Sequence, residues 1–174
     1  TEIGLIPEDW EVVRLGEVFE IQQGKQLSRK NKAKGENIEC KFLRTSNILW
    51  GGIKLDSLDT MLVSPKELNK LKVRKGDIFV CEGGDVGRTA ILEEDLNFDL
   101  IYQNHLHRLR PKSEKIFPKF FVYWMEKHIR LDKAHIPANV TTIPNLSASR
   151  LKSFKIPLPP LEEQKQIAHI LSTV

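Results

Sequence analysis

At 174 residues, 40% hydrophobic and 29% charged, the chain has the size and composition of one globular domain with a real core. Its net charge of +4 and pI near 9.0 give a mild basic bias, compatible with a polyanionic partner. No apolar run approaches the roughly 20 residues of a membrane span, no basic-then-apolar leader opens at Thr1, and the two unclustered cysteines, Cys40 and Cys81, read as reduced core or surface thiols of a cytoplasmic protein.

In chain order, Trp10 to Val13 and Phe19 to Gln22 read as short strands around a helical turn at Leu15-Gly16-Glu17-Val18. Gln23 to Glu39 is polar and punctuated by glycine, which predicts a loop. Lys41 to Ile48 alternates apolar and polar residues and predicts a strand, with a turn at Trp50-Gly51-Gly52-Ile53 into a second one. Ser64 is an N-cap, Pro65 takes the first helical position and Glu67 stands three residues after the cap. Ile78 to Cys81 and Thr89 to Leu92 flank a glycine-rich tip as a hairpin. Leu106 to Leu109 makes another strand, to which His107 and Arg108 belong and whose alternate side chains are expected at the surface. Phe117 to Leu131 is a helix with Phe117, Phe120, Phe121, Trp124 and Ile129 on one apolar face. A short helix beginning near Ser147 carries Leu146, Leu151 and Phe154. Strands first and helices late predict an α+β domain on a twisted, mostly antiparallel or mixed sheet.

Pro157, Pro159 and Pro160 form a stiff extended strap. Leu161-Glu162-Glu163-Gln164 then opens an amphipathic helix with two carboxylates in its first turn, where the helix dipole favours them. Ile167, Ile170, Leu171 and Val174 fall at i, i+3, i+4 and i+7, the start of a long coiled-coil-type helix. With Leu161, these residues are expected to meet a partner or a second copy. The one boundary lies at the strap, dividing residues 1–155 from 156–174.

Three strings carry a family resemblance. Ile156-Pro157-Leu158-Pro159-Pro160-Leu161-Glu162-Glu163-Gln164, continued by Ile167-Ala168 and Ile170-Leu171, resembles the start of the conserved helical region in specificity subunits of Type I restriction-modification enzymes. Ile6-Pro7-Glu8-Asp9-Trp10 resembles the opening of a target recognition domain in that family. Val73-Arg74-Lys75-Gly76-Asp77-Ile78, followed by Gly83-Gly84-Asp85-Val86-Gly87-Arg88, is similar to its glycine hairpin.

The resemblance implies a non-catalytic domain that reads one half of a bipartite site in double-stranded DNA, with residues 156–174 beginning a spacer or dimerisation helix. It implies methyltransferase (modification) subunits that carry S-adenosylmethionine and methylate adenine, a restriction subunit as a further partner, and no cofactor in this chain. A natural half-subunit that self-associates through the C-terminal helix and a fragment of a longer chain both fit, the stop at Val174 within the apolar pattern favouring the fragment. The specificity part of a Type IIG or IIB-like enzyme remains open within the same resemblance. A protein-interaction scaffold with no DNA role is the rival from another class.

Cations hold phosphates, whereas Asn, Gln, Arg, Ser and Thr pair with base edges. Lys25, Arg29, Lys30 and Lys32 make the first candidate tract, for phosphates and, at Arg29, a guanine. Arg44, Ser46 and Asn47 form the second, with ordinary turn chemistry as the alternative. The tip from Glu82 to Arg88 offers Gly84 for close backbone approach and presents Arg88. Gln103 and Asn104 suit bidentate contact with adenine. Asn139, Thr141 and Thr142 lie in a polar loop of a kind that is near DNA in the resembled family.

Catalytic chemistry is not legible. Glu163-Gln164-Lys165 matches the E-x-K of metal-dependent nucleases, but no Asp precedes it at short range on a neighbouring strand. Ser149 to Lys152 matches S-x-x-K without its companion motifs. His105, His107, His128, His135 and His169 show no zinc spacing, so no metal site is expected.

Overall fold

The computed structural model describes residues 5–27, 36–131 and 145–173. β1 (Glu11–Arg14), the single turn α1 (Leu15–Val18) and β2 (Phe19–Gln23) come first, as expected. β3 (Ile38–Leu43) ends in a 3₁₀ turn, Thr45–Asn47, and a tight hairpin of β4 (Ile48–Leu49) and β5 (Gly52–Ile53) follows. Next come β6 (Asp59–Val63), α2 (Pro65–Leu71), β7 (Ile78–Cys81), β8 (Thr89–Ile91), β9 (Leu100–Tyr102) and β10 (Leu106–Pro111). The described chain closes with α3 (Pro118–Met125), α4 (Ala148–Ser153), β11 (Lys155–Leu158) and α5 (Leu161–Ser172). At the start of α2 the expected capping box is formed: Ser64 Oγ accepts from the Glu67 N–H at 3.3 Å, and Glu67 Oε2 accepts from the Ser64 N–H at 2.9 Å.

Two larger sheets organise the domain. One is antiparallel, in the order β2-β10-β7-β8; the other, β6-β3-β9, pairs β3 antiparallel to β6 and parallel to β9. Strand side chains alternate between faces, and β7 is buried on both. Ile78 and Val80 join the helix-side core with Phe19, Leu109, Phe121 and Leu151. Phe79 and Cys81 face Phe42, Leu100 and Tyr102 in a second core between the sheets. The fold class is the α+β arrangement with mixed sheets that the order of elements predicts.

Several local readings change. Lys41 to Ile48 is not one strand, because Asn47 bends it: its Oδ1 accepts from the Arg44 N–H at 2.8 Å, and its Nδ2 donates to the carbonyls of Lys54 and Ser57 at 3.1 and 3.2 Å. β3 begins at Ile38, inside the expected loop, and β6 and β9 were not foreseen. The proline strap is β11, paired antiparallel with β1 through Glu11↔Leu158 and Val12↔Pro157. Pro157 is tolerated because both strands of this two-stranded sheet are edges. The Phe117–Leu131 helix stops as α-helix at Met125 and winds on as a π-helix over Glu126–Leu131, a difference that apolar spacing does not resolve. His107 and Arg108 are not surface positions; they are 0% and 2% exposed. Both cysteines are free and buried, and burial pushes each thiol up to about 11. Among the described residues no helix is long and apolar enough to cross a membrane.

Candidate nucleic-acid interface

The register of the sheets brings the polar loops to one edge. β2 ends at Gln23 opposite His107, β7 ends at Cys81 opposite Leu106, and β3 and β9 end together at Leu43 and Tyr102. Beyond these ends the chain segments hold one another through backbone bonds. Lys25 N–H donates to Tyr102 O at 3.0 Å, Asn104 N–H to Lys25 O at 2.9 Å, and Glu82 N–H to His105 O at 2.9 Å. Leu146 N–H donates to Glu82 O at 3.0 Å, which attaches the residues just before α4 to the same edge.

Within this edge the candidate side chains divide by what already occupies them. Lys25, 11% exposed, is paired with Glu67 and holds that carboxyl below its usual range. Arg88 donates through Nη1 to Asp85 at 2.6 Å and through Nη2 to the Thr45 carbonyl at 3.0 Å, bracing the glycine tip against the 3₁₀ turn. Asn47 is 4% exposed and fully engaged in its own turn. Arg44 differs: its pair with Asp59 at 2.6 Å is half exposed, and such pairs contribute only about 0–1 kcal/mol, so a phosphate can compete for it.

Ser46 is exposed and Asn104 half-buried, and Gln103 is 7% exposed. Among the described residues none of these three side chains has a hydrogen-bond partner. Gly84, with φ +73°, stands exposed with open space where a side chain would be. The structure thus brings Lys25, Arg44, Ser46, Asn47, Gly84, Arg88, Gln103 and Asn104 to one edge, with some as braces and some uncommitted. Arg29, Lys30, Lys32, Asn139, Thr141, Thr142 and Val174 lie outside the described residues.

On α5, Leu161 and Ile167 are partly buried, Ile167 against the helix-side core, whereas Ile170 and Leu171 are 60% and 46% exposed. The inner face of the helix is Gln164 and Ala168, at 0% and 2% exposed. Gln164 was not foreseen as a key residue. Glu163, of the E-x-K string, accepts from the Trp10 indole N–H at 3.1 Å. Among the described residues no group of three or more His, Cys, Asp or Glu side chains is placed to hold a metal ion.

Beneath the edge lies a polar cluster that residue type did not reveal. Gln23 Nε2 donates to Glu82 Oε2 at 2.7 Å, and His107 Nε2 lies 2.7 Å from the Leu146 carbonyl, so that nitrogen carries the proton. Burial holds the His107 ring below its ordinary pKa of 6.5, keeping it neutral. The unfolded chain therefore binds that proton more readily than the folded one. Stability from this group is complete above about pH 6.5 and is lost as pH falls below it, by up to about 1.4 kcal/mol per unit. Urea unfolding of wild type and His107→Gln between about pH 7 and pH 5.5 is expected to show a shallower loss in the variant; parallel curves would remove His107 as the source.

The model of the Type I restriction modification DNA specificity domain matches residues 7–174. Two type I restriction enzyme specificity subunits of Methanocaldococcus jannaschii, MjaX and MjaVIII, are 34% and 32% identical over 99% and 100% of this chain. The chain spans 41% of the length of each. A solved chain of a type I restriction-modification system shares the fold, with a TM-score of 0.71 at 22% identity over 98% of this chain and 39% of that one.

Proposed function

The chain belongs to the Type I restriction modification DNA specificity domain family, and from that premise we propose that it reads one half of a bipartite target in double-stranded DNA. One observation carries the reading: loops from separate strands converge on a single edge where the Ser46, Gln103 and Asn104 side chains have no hydrogen-bond partner among the described residues. Asn and Gln amides match the major-groove edge of adenine. Arg44, with Arg29, Lys30 and Lys32, supplies phosphate contacts, and Asn139, Thr141 and Thr142 are further candidates for contact with DNA.

Residues 1–155 are the reading domain. Residues 156–174 are the spacer segment, and its Ile170, Leu171 and Val174 make the contacts that set the distance to a second recognition domain. Methyltransferase subunits bring S-adenosylmethionine and methylate adenine, and a restriction subunit cleaves. This chain binds no cofactor, performs no catalysis and works in the cytoplasm.

The test is co-expression of the full-length specificity subunit containing this chain with its methyltransferase subunits in a methylation-free host, followed by mapping of modified adenines. A split motif dependent on the subunit is expected. Gln103→Ala and Asn104→Ala are each expected to relax one position of one half-site by about 1–3 kcal/mol of discrimination, leaving the other half unchanged. Absence of any motif overturns the reading, and a motif unchanged in both variants removes these two residues as readers.

A further inference from the structure

We propose that Gln23, Glu82 and His107 form a positioning device that holds four polar segments in one mutual arrangement and so sets which bases the edge accepts. The role rests on the DNA-reading function above. Each member stands where a segment leaves or joins the sheet. Gln23 ends β2 and precedes Lys25; Glu82 follows β7 and opens the glycine tip; His107 lies just after Gln103, Asn104 and His105 on β10. The fourth segment is attached through its backbone, since Leu146 donates to Glu82 O at 3.0 Å and accepts from His107 Nε2 at 2.7 Å.

The contacts cross segments rather than closing within one. Gln23 Nε2 donates both to Glu82 Oε2 at 2.7 Å and to Asn104 O at 2.9 Å, which joins the first, second and third segments through one amide. His107 Nε2 lies 3.9 Å from Glu82 Oε2, and both residues are buried, at 0% and 7% exposed. His107 Nδ1 has no partner among the described residues, where the ring is held through Nε2. Gln23 is exposed, whereas Glu82 and His107 are buried, so the network favours one geometry chiefly because any other leaves the two buried groups unpaired. None of its three side chains needs to touch a base. Moving one segment by a few tenths of an ångström moves the others, and base discrimination depends on that geometry, whereas phosphate attraction does not.

The experiment compares His107→Phe, which keeps a ring but removes the donor, with His107→Gln, whose amide nitrogen can replace Nε2, in the full-length subunit bound to its methyltransferase subunits. Binding is measured on the mapped target and on random duplex, with hydrogen exchange at residues 83–88, 103–105 and 145–146. The ratio of specific to non-specific binding is expected to fall at least about tenfold in His107→Phe and to stay within about twofold in His107→Gln, with the random-duplex salt slope unchanged. Exchange is expected to rise in all three segments together in His107→Phe. An unaltered ratio in a folded His107→Phe overturns the inference while leaving the DNA reading intact. Should that variant fail to fold, Gln23→Leu decides: the same loss of ratio supports the device, and an unaltered ratio overturns it. If the wild-type complex selects no target, the DNA reading falls by itself. Exchange then decides the coupling, a joint rise supporting it and a rise confined to one segment overturning it.

Discussion

Gln164→Leu is expected to cost about 3–4 kcal/mol of stability. Gln164 is 0% exposed, and its amide satisfies three backbone groups. Its Oε1 accepts from the Phe117 N–H at 2.8 Å, and its Nε2 donates to the carbonyls of Lys115 and Pro159, each at 2.8 Å. Phe117 is the residue before α3, and Pro159 lies between β11 and α5, so one side chain ties the starts of two helices to the strap. Leucine has nearly the same volume and leaves no large cavity. The loss comes from three polar groups left without their partner, each worth roughly 1–3 kcal/mol when fully buried and less where water reaches it. Urea unfolding at constant m-value measures it. A loss under about 1 kcal/mol would mean that water replaces the amide at all three groups.

The same residue marks the limit of what could be read from the chain. As a letter in Leu161-Glu162-Glu163-Gln164 it is a good helix former in a first turn, and nothing local says that it points inward. Chemistry confined to a few residues was legible, as with the Ser64–Glu67 capping box and the hairpin around the glycine tip. The strap was legible as extended backbone, but its pairing with β1 joins residues nearly a whole chain apart and leaves no periodic trace. β9 is three residues long and wholly buried, too short to show a period.

At the candidate site, polar residue types identified groups able to hydrogen-bond without saying what uses that capacity. Asn47 and Arg88 spend it on the protein itself, whereas the Gln103 and Asn104 side chains find no partner among the described residues. His107 and Arg108 looked like the solvent face of a strand because two polar residues stand side by side there. The second sheet, α2 and the segment at Leu146 cover them. Arg108 finds Gln22 Oε1 at 2.7 Å and the Tyr102 ring 5.7 Å away, partners that only the tertiary fold supplies.

Gly24→Ala is expected to destabilise the domain by about 3 kcal/mol or more and to disturb the reading edge before the rest of the fold. The reason is space rather than dihedral freedom, since the φ of Gly24 lies outside the left-handed region. A Cβ built there would fall on the carbonyl oxygens of Tyr102 and Gln103 and 2.6 Å from the Gln103 carbonyl carbon. These are backbone atoms, so no side-chain rotation relieves the overlap. The crossing is tight because Gly24 N–H donates to Leu106 O at 3.1 Å and Lys25 N–H to Tyr102 O at 3.0 Å, closing the first segment onto the turn that presents Gln103 and Asn104. A methyl group must push the two backbones apart and lengthen those bonds, together with that from Asn104 N–H to Lys25 O. Hydrogen exchange at position 24, Lys25 and Asn104 is therefore expected to accelerate more than at Phe79 and Val80 in the middle of β7. Base discrimination at the half-site is expected to fall with it, because the amides of Gln103 and Asn104 move with their backbone. Uniform acceleration across β7 and the edge would instead mean that Gly24 supports the whole sheet. Unchanged stability would mean that the two backbones separate without cost and that the close crossing does not hold the edge.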